Sequence, residues 1–264
     1  MLRTAWTDLP ANVRTAVREQ TGHVLEEAPT RFGARAALTS TLTTKSGPVF
    51  VKAAQAGSPF LAGLRTEQAV NPHVKHLAAP LLWTVETDGW LVLGFEHAAG
   101  THQFYEPGSA ALAALTRLLH DLADLLCPGV VTKPVGAKWA GGDGLLTEAM
   151  DGDALLHTDL NPANLLLAGD GRAVAVDWAW ASRGAPWVEI ALLIPRLISY
   201  GHTAEQAEQW ATQFPAWRQA PGTALDAFAT ENLRRWQEAK TGDPAWLAEM
   251  ADSAQQWILH RRQR

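Results

Sequence analysis

The stretch from Leu155 to Trp178 constrains the chain most. Leu155-Leu156-His157-Thr158-Asp159-Leu160-Asn161-Pro162-Ala163-Asn164 leads into a first apolar run, Leu165-Leu166-Leu167. Ala168-Gly169-Asp170-Gly171-Arg172 separates it from a second, Ala173-Val174-Ala175-Val176, which ends at Asp177-Trp178. Two short apolar runs around a Gly-Asp-Gly turn have the pattern of a β-hairpin with a loop of several residues. In such a hairpin Asn164 lies just before the first strand and Asp177 at the end of the second, at the same end of the ladder. Asp159 stands in the preceding loop, which Pro162 stiffens.

These three polar side chains suit one kind of chemistry. A carboxylate and an amide are two oxygen ligands for a hard cation such as magnesium with its phosphates. A second carboxylate a few ångströms away receives or orients the proton of an incoming hydroxyl. Together they suit phosphoryl transfer, where catalysis is mostly positioning and charge neutralisation.

His157-x-Asp159-x-x-x-x-Asn164 followed by Asp177 resembles the catalytic loop and metal-binding Asp of the kinase-like superfamily. The variant His-Thr-Asp-Leu-Asn-Pro-Ala-Asn, with Val-Asp-Trp after it, is most similar to the aminoglycoside phosphotransferase family, which also holds choline, homoserine and related small-molecule kinases. The resemblance spans about Ala36 to Leu193 and implies an α+β, two-lobed protein kinase-like fold. A small N-terminal antiparallel sheet lobe takes residues 1–97. A larger helical C-terminal lobe, residues 98–264, carries the catalytic hairpin and binds the acceptor, all within one continuous kinase-like domain.

The resemblance also implies roles. Asp159 is the catalytic base and His157 braces its loop, while Asn164 and Asp177 hold Mg2+. Val-Phe-Val-Lys-Ala is similar to the kinase strand whose lysine contacts the donor phosphates, which assigns Lys52. Glu67, on the following helix, pairs with that lysine. Leu93-Gly94-Phe95-Glu96-His97-Ala98 resembles the hinge, where the Glu96 carbonyl and the Ala98 N–H bond the adenine. Phe95 faces the base or packs in the core. The donor is ATP, with GTP compatible, and the acceptor is a hydroxyl of a small molecule. Aminoglycoside, and with it antibiotic resistance, is the family's label and not a reading of these residues.

Two departures from the pattern matter. No Gly-x-Gly-x-x-Gly loop precedes Lys52, and Arg31-Phe32-Gly33-Ala34-Arg35 stands in its place. Gly184-Ala185-Pro186 and Glu189-Ile190-Ala191 replace the family's Gly-Asp-Pro and Asp-Leu-Ala, and Glu189 is expected to lock the catalytic loop by hydrogen bonds. A protein kinase would carry Arg and Lys where Thr158 and Asn161 stand, with a long activation segment after Asp177. A catalytically silent scaffold would lack one of the catalytic polar residues, and none is missing.

The rest of the chain supplies elements. A short helix after Pro10, carrying Val13 and Val17, precedes strands at 23–26, 36–44 and 48–52. A helix from Pro59 to Val70 and a hairpin turning at Thr87-Asp88-Gly89 follow. Ser109 caps an amphipathic helix with Leu112, Leu115, Leu118, Leu119, Leu122 and Leu126 inward. Residues 130–153 show no period. Helices are expected at 204–214, 224–239 and 244–260, with Thr223 and Asp243 as caps, and Asp226 and Glu231 are conceivable anchors for an amine. The 264 residues carry a net charge of -5, which gives nucleic acid no electrostatic support. The apolar run Val188–Ile198 is too short for a membrane span and is interrupted by Glu189, Pro195 and Arg196. Cys127, the only cysteine, excludes an internal disulfide, and with no signal-peptide pattern at Met1 a cytoplasmic protein is expected.

Overall fold

The structure is a computed structural model that describes residues 4–30, 36–239 and 245–263. In chain order it contains α1 (Ala11–Thr21), β1 (Val24–Pro29), β2 (Leu38–Thr44), β3 (Gly47–Gln55), α2 (Leu61–Val70), β4 (Leu81–Thr87), β5 (Trp90–Glu96) and α3 (Ala110–Ala123). There follow α4 (Gly136–Trp139), α5 (Gly144–Ala149), β6 (Ala154–Leu156), β7 (Leu165–Leu167), β8 (Ala173–Ala175) and β9 (Ser182–Gly184). The helices α6 (Trp187–Ser199), α7 (Ala204–Ala211), α8 (Pro215–Gln219), α9 (Gly222–Ala239) and α10 (Ala245–Arg261) complete it. Two compact units divide these elements. The first runs from the N-terminus to His102 and includes Ala163–Trp180; the second takes Gln103–Pro162 and the chain from Ala181 onward.

The first unit is built on a five-stranded antiparallel sheet in the order β1-β2-β3-β5-β4. Its turns follow local chemistry. Asp88 and Gly89 both take positive φ, 49° and 71°, as a two-residue hairpin turn demands. Alternation along the strands sends Leu38, Leu42, Val51, Ala53 and Val92 to the face covered by Val13 and Val17 of α1. Ala54, Leu91, Leu93 and Phe95 point to the opposite face, under Leu64 of α2. Lys52 lies between Val51 and Ala53, so its side chain is sent to the α2 face.

The expected hairpin forms, with Leu165 opposite Ala175 and Leu167 opposite Ala173. It belongs to the first compact unit, where it bonds the segments before β4 and after β5. Ala175 N–H donates to the Leu77 carbonyl (2.7 Å), and Leu167 and Thr101 exchange both backbone bonds (2.9 and 3.0 Å). Gly100 permits that approach, because a Cβ there would lie 2.9 Å from the Leu167 oxygen.

The second unit is helical. Ser109 Oγ accepts from Leu112 N–H (3.1 Å) to start α3, whose Leu115, Leu118, Leu119 and Leu122 are buried. The helix stops at Ala123, so Leu126, expected on its inner face, is 80% exposed. The aperiodic stretch holds α4 and α5, each too short to show a period. Ten of the residues in α6 are buried, and α7, α9 and α10 pack around it with Trp187, Phe228 and Trp257 in edge-on contact. The helix expected at 204–214 ends at Ala211, and Pro215 starts α8. Thr223 falls inside α9 and does not cap it. Asp243, Pro244 and the segment 31–35 lie outside the described residues. No described helix is long and apolar enough to cross a membrane.

Gly94 lets the Trp83 ring lie on β5, since a Cβ there would meet the ring at 2.1 Å. Gly94→Ala is expected to cost about 1–3 kcal/mol by overpacking, read as a fall in melting temperature by circular dichroism. Adding Trp83→Leu should restore part of the loss, and two simply additive losses would contradict the contact.

Candidate active site

In the first unit Lys52, near the middle of β3, meets two carboxylates. Its Nζ lies 2.8 and 3.0 Å from the two oxygens of Glu67 on α2 and 2.8 Å from Oδ1 of Asp177, just past β8. The side chains of Lys52, Glu67 and Asp177 are only 7%, 5% and 14% exposed. Burial opposes the lysine charge, but the two carboxylates outweigh it and hold the pKa above the ordinary lysine value. The group lines a small cavity with Ala36, Thr39, Leu64 and Ala179.

Local geometry brings Asp177 there. It takes φ of 66°, a left-handed conformation that a non-glycine residue enters only when its surroundings hold it. The next residue is anchored twice: Trp178 Nε1 donates to the Ala175 carbonyl (3.1 Å), and its backbone N–H bonds the Glu67 carboxylate. Gly63 brings α2 close, since a Cβ there would stand 3.1 Å from Ala179 Cβ. Asn164 is buried, and its carbonyl accepts from Val176 N–H (2.9 Å), which fixes it beside the end of the second strand.

Glu96 closes β5 opposite Val49, with its N–H on the Pro80 carbonyl (2.8 Å); Ala98 follows two residues beyond the strand. Phe95 is buried among Ala54, Leu64 and Leu93, where core packing accounts for it.

His157 and Asp159 belong to the second unit. The Glu189 carboxylate of α6 accepts from His157 N–H (2.6 Å) and from Thr158 N–H (2.9 Å). Thr158 has φ of 64°, unusual for a β-branched residue. The loop is thus held in a conformation its sequence resists. Asp159 N–H donates to His157 Nδ1 (3.3 Å), and Asn161 Nδ2 donates to Asp159 Oδ1 (3.0 Å). The Arg196 guanidinium of α6 stands 4.0 Å from the same oxygen. Sequence reasoning passed over Arg196 as a mere interruption of an apolar run, although a cation amid Leu and Ile was the available signal.

One unit therefore assembles Lys52, Glu67, Asn164 and Asp177, and the other His157, Asp159, Glu189 and Arg196. Among the described residues no group of three or more His, Cys, Asp or Glu forms a metal cluster.

Comparison with known proteins gives the class. Residues 144–222 match the phosphotransferase enzyme family model. A thermostable variant of the aminoglycoside phosphotransferase APH(4)-Ia, in complex with ADP and hygromycin B, is similar in structure (TM-score 0.60, 15% identity, 93% of this chain and 99% of that one). Choline kinase LicA from Streptococcus pneumoniae gives a TM-score of 0.59 at 13% identity, with 95% and 100% covered. An aminoglycoside phosphotransferase from Alicyclobacillus acidocaldarius gives 0.58 at 13%, with 97% and 96% covered. No curated protein sequence matches. The fold is the kinase-like fold of these enzymes. The whole-chain likeness shows that fold, and the matched segment is that of a phosphotransferase enzyme family. Both findings support the aminoglycoside phosphotransferase and choline kinase-like family read from the catalytic motif.

Burial pushes the Glu189 carboxyl up to about 7; the His157 and Thr158 N–H groups oppose the rise and the Asp159 charge adds to it. The folded protein keeps this proton between the ordinary value of 4.5 and about 7, while the unfolded chain releases it. Stability contributed by Glu189 is therefore lost as pH rises through that window. Denaturant unfolding at pH about 5 and about 7.5 should show Glu189→Gln with a smaller loss than the parent; equal losses would contradict the buried carboxyl.

Proposed function

We propose that the protein transfers the γ-phosphoryl group of ATP, or of GTP, to a hydroxyl of a small molecule in the cytoplasm. The observation that carries this is the Lys52 ammonium buried between two carboxylates. One positive charge against two negative ones leaves an excess of negative charge in a nearly dry site, which favours a further cation. The donors flanking the hairpin end, the Asp177 carboxylate and the Asn164 amide, are oxygen ligands only, and these fit a hard divalent ion. Asn164 and Asp177 are accordingly assigned to magnesium, which when bound neutralises charge on the donor phosphates.

Lys52 turns from Asp177 to the α- and β-phosphates while Glu67 keeps it in place. The Glu96 carbonyl and Ala98 N–H contact the adenine edge. Asp159 orients the acceptor hydroxyl and takes its proton, and His157 braces the loop through the Asp159 N–H. This assignment requires Asp159 and the Asn164–Asp177 pair to address one phosphoryl group. The APH(4)-Ia relative carries a nucleotide and a hydroxylated small molecule together, which supports the same pairing of ligands here. Only residues 178–186 separate Asp177 from α6, and a peptide-holding activation segment has no place there.

Asp159→Ala and Asp177→Ala should each lower ATP-dependent phosphorylation by about 10²-fold or more, measured as ADP release with Mg2+ and a panel of hydroxylated acceptors. Either variant retaining full turnover would overturn its assignment.

A further inference from the structure

The second unit carries a cation where an aminoglycoside or choline site would be expected to be acidic. Arg196 projects from α6 beside Asp159, its side chain 16% exposed. At 4.0 Å the contact with Asp159 Oδ1 is too long for a hydrogen bond, and it is the only ion pair of Arg196 among the described residues. The guanidinium has five donors in a planar fork shaped for a carboxylate, and Asp159 does not take up that fork.

Aromatic rings and one unmatched hydroxyl lie in the same unit. Tyr105 is completely buried, and its hydroxyl has no hydrogen-bond partner among the described residues. Its ring meets Tyr200 edge-on with centroids 6.1 Å apart, and the Arg196 charge opposes the rise that burial causes in its pKa. A buried hydroxyl without a partner is costly and calls for an explanation. His202 Nε2 lies 2.8 Å from the Tyr105 carbonyl and fixes this segment. Beside it Phe104, 58% exposed, stacks on Tyr200 with ring centroids 5.2 Å apart and offers an aromatic wall.

The acidic candidates of α9 are already engaged. Asp226 accepts from Arg261 Nε (2.6 Å), and both Glu231 oxygens accept from Arg234 (2.6 and 2.7 Å). We propose that the acceptor is a hydroxylated carboxylic acid with a flat or ring-shaped body, whose carboxylate pairs with Arg196 while its hydroxyl faces Asp159. This rests on Asp159 as the base. The Tyr105 hydroxyl donates to the same carboxylate, and Phe104 and Tyr200 flank the ring. A polyamine would be repelled by the guanidinium.

Matched probes test this on the full-length protein with Mg-ATP: mandelate, its methyl ester, 2-amino-1-phenylethanol and hygromycin B. Mandelate should exceed its ester by roughly 10²-fold in kcat/KM, as a desolvated charge pair provides, and the two amines should be poorest. Arg196→Gln should erase the preference for the acid, Arg196→Lys should keep part of it, and Tyr105→Phe should weaken it. Preference for an amine, or an unchanged order in Arg196→Gln, overturns the acid assignment and leaves phosphoryl transfer standing. Should the parent protein phosphorylate none of the four, none of them is the acceptor, the broader panel decides on phosphoryl transfer, and saturation-transfer NMR decides on Arg196 alone. Mandelate binding that is lost in Arg196→Gln upholds the carboxylate site, and its absence removes it.

Discussion

A lysine ammonium held in a dry place by two carboxylates organises the first unit. Each partner comes from a different element: Lys52 from a central strand, Glu67 from α2, Asp177 from the chain leaving β8. None of the three charges is tolerable there alone, because removing one leaves the others desolvated and unmatched. Sheet, helix and hairpin are therefore tied together electrostatically where their apolar faces meet. The same dependence underlies the proposed role, since an unbalanced negative charge favours a cation.

The two units solve one problem in the same way. Each carries a polar segment containing a non-glycine residue with left-handed φ, 64° at Thr158 and 66° at Asp177. A buried glutamate from a helix accepts backbone N–H groups at each: Glu189 takes those of His157 and Thr158, and Glu67 takes that of Trp178. Strain in these segments is offset by hydrogen bonds to a buried carboxyl group. The carboxylate in each case sits away from the solvent, which makes its hydrogen bonds strong and its loss costly.

Much of this was legible in the sequence. The hairpin around Gly169-Asp170-Gly171, the antiparallel strands and α2 follow from alternation, turn residues and helix period, which are local signals, whereas the Lys52–Glu67 pair comes from the resemblance to kinases and not from any local signal. Where the hairpin docks was not legible, because that depends on the Leu77 carbonyl and on the smallness of Gly100, far away in the chain. The end of α3 was misplaced by one turn, since Leu126 continues the apolar stripe but Asp124 leaves the helix. Glu189 was recognised as a lock, but the strain at Thr158 that it opposes has no sequence signature. Arg196 and Tyr105 acquire meaning only when α6 and the segment before α3 are brought beside Asp159.

The central claim is that Asn164 and Asp177 bind a divalent ion together with a nucleotide. Isothermal titration of a non-hydrolysable ATP analogue, with and without Mg2+, tests it most directly. Binding should be markedly tighter with the metal, and Asn164→Ala should remove that difference while leaving metal-free binding unchanged. Equal affinity with and without Mg2+ in the parent protein would contradict it.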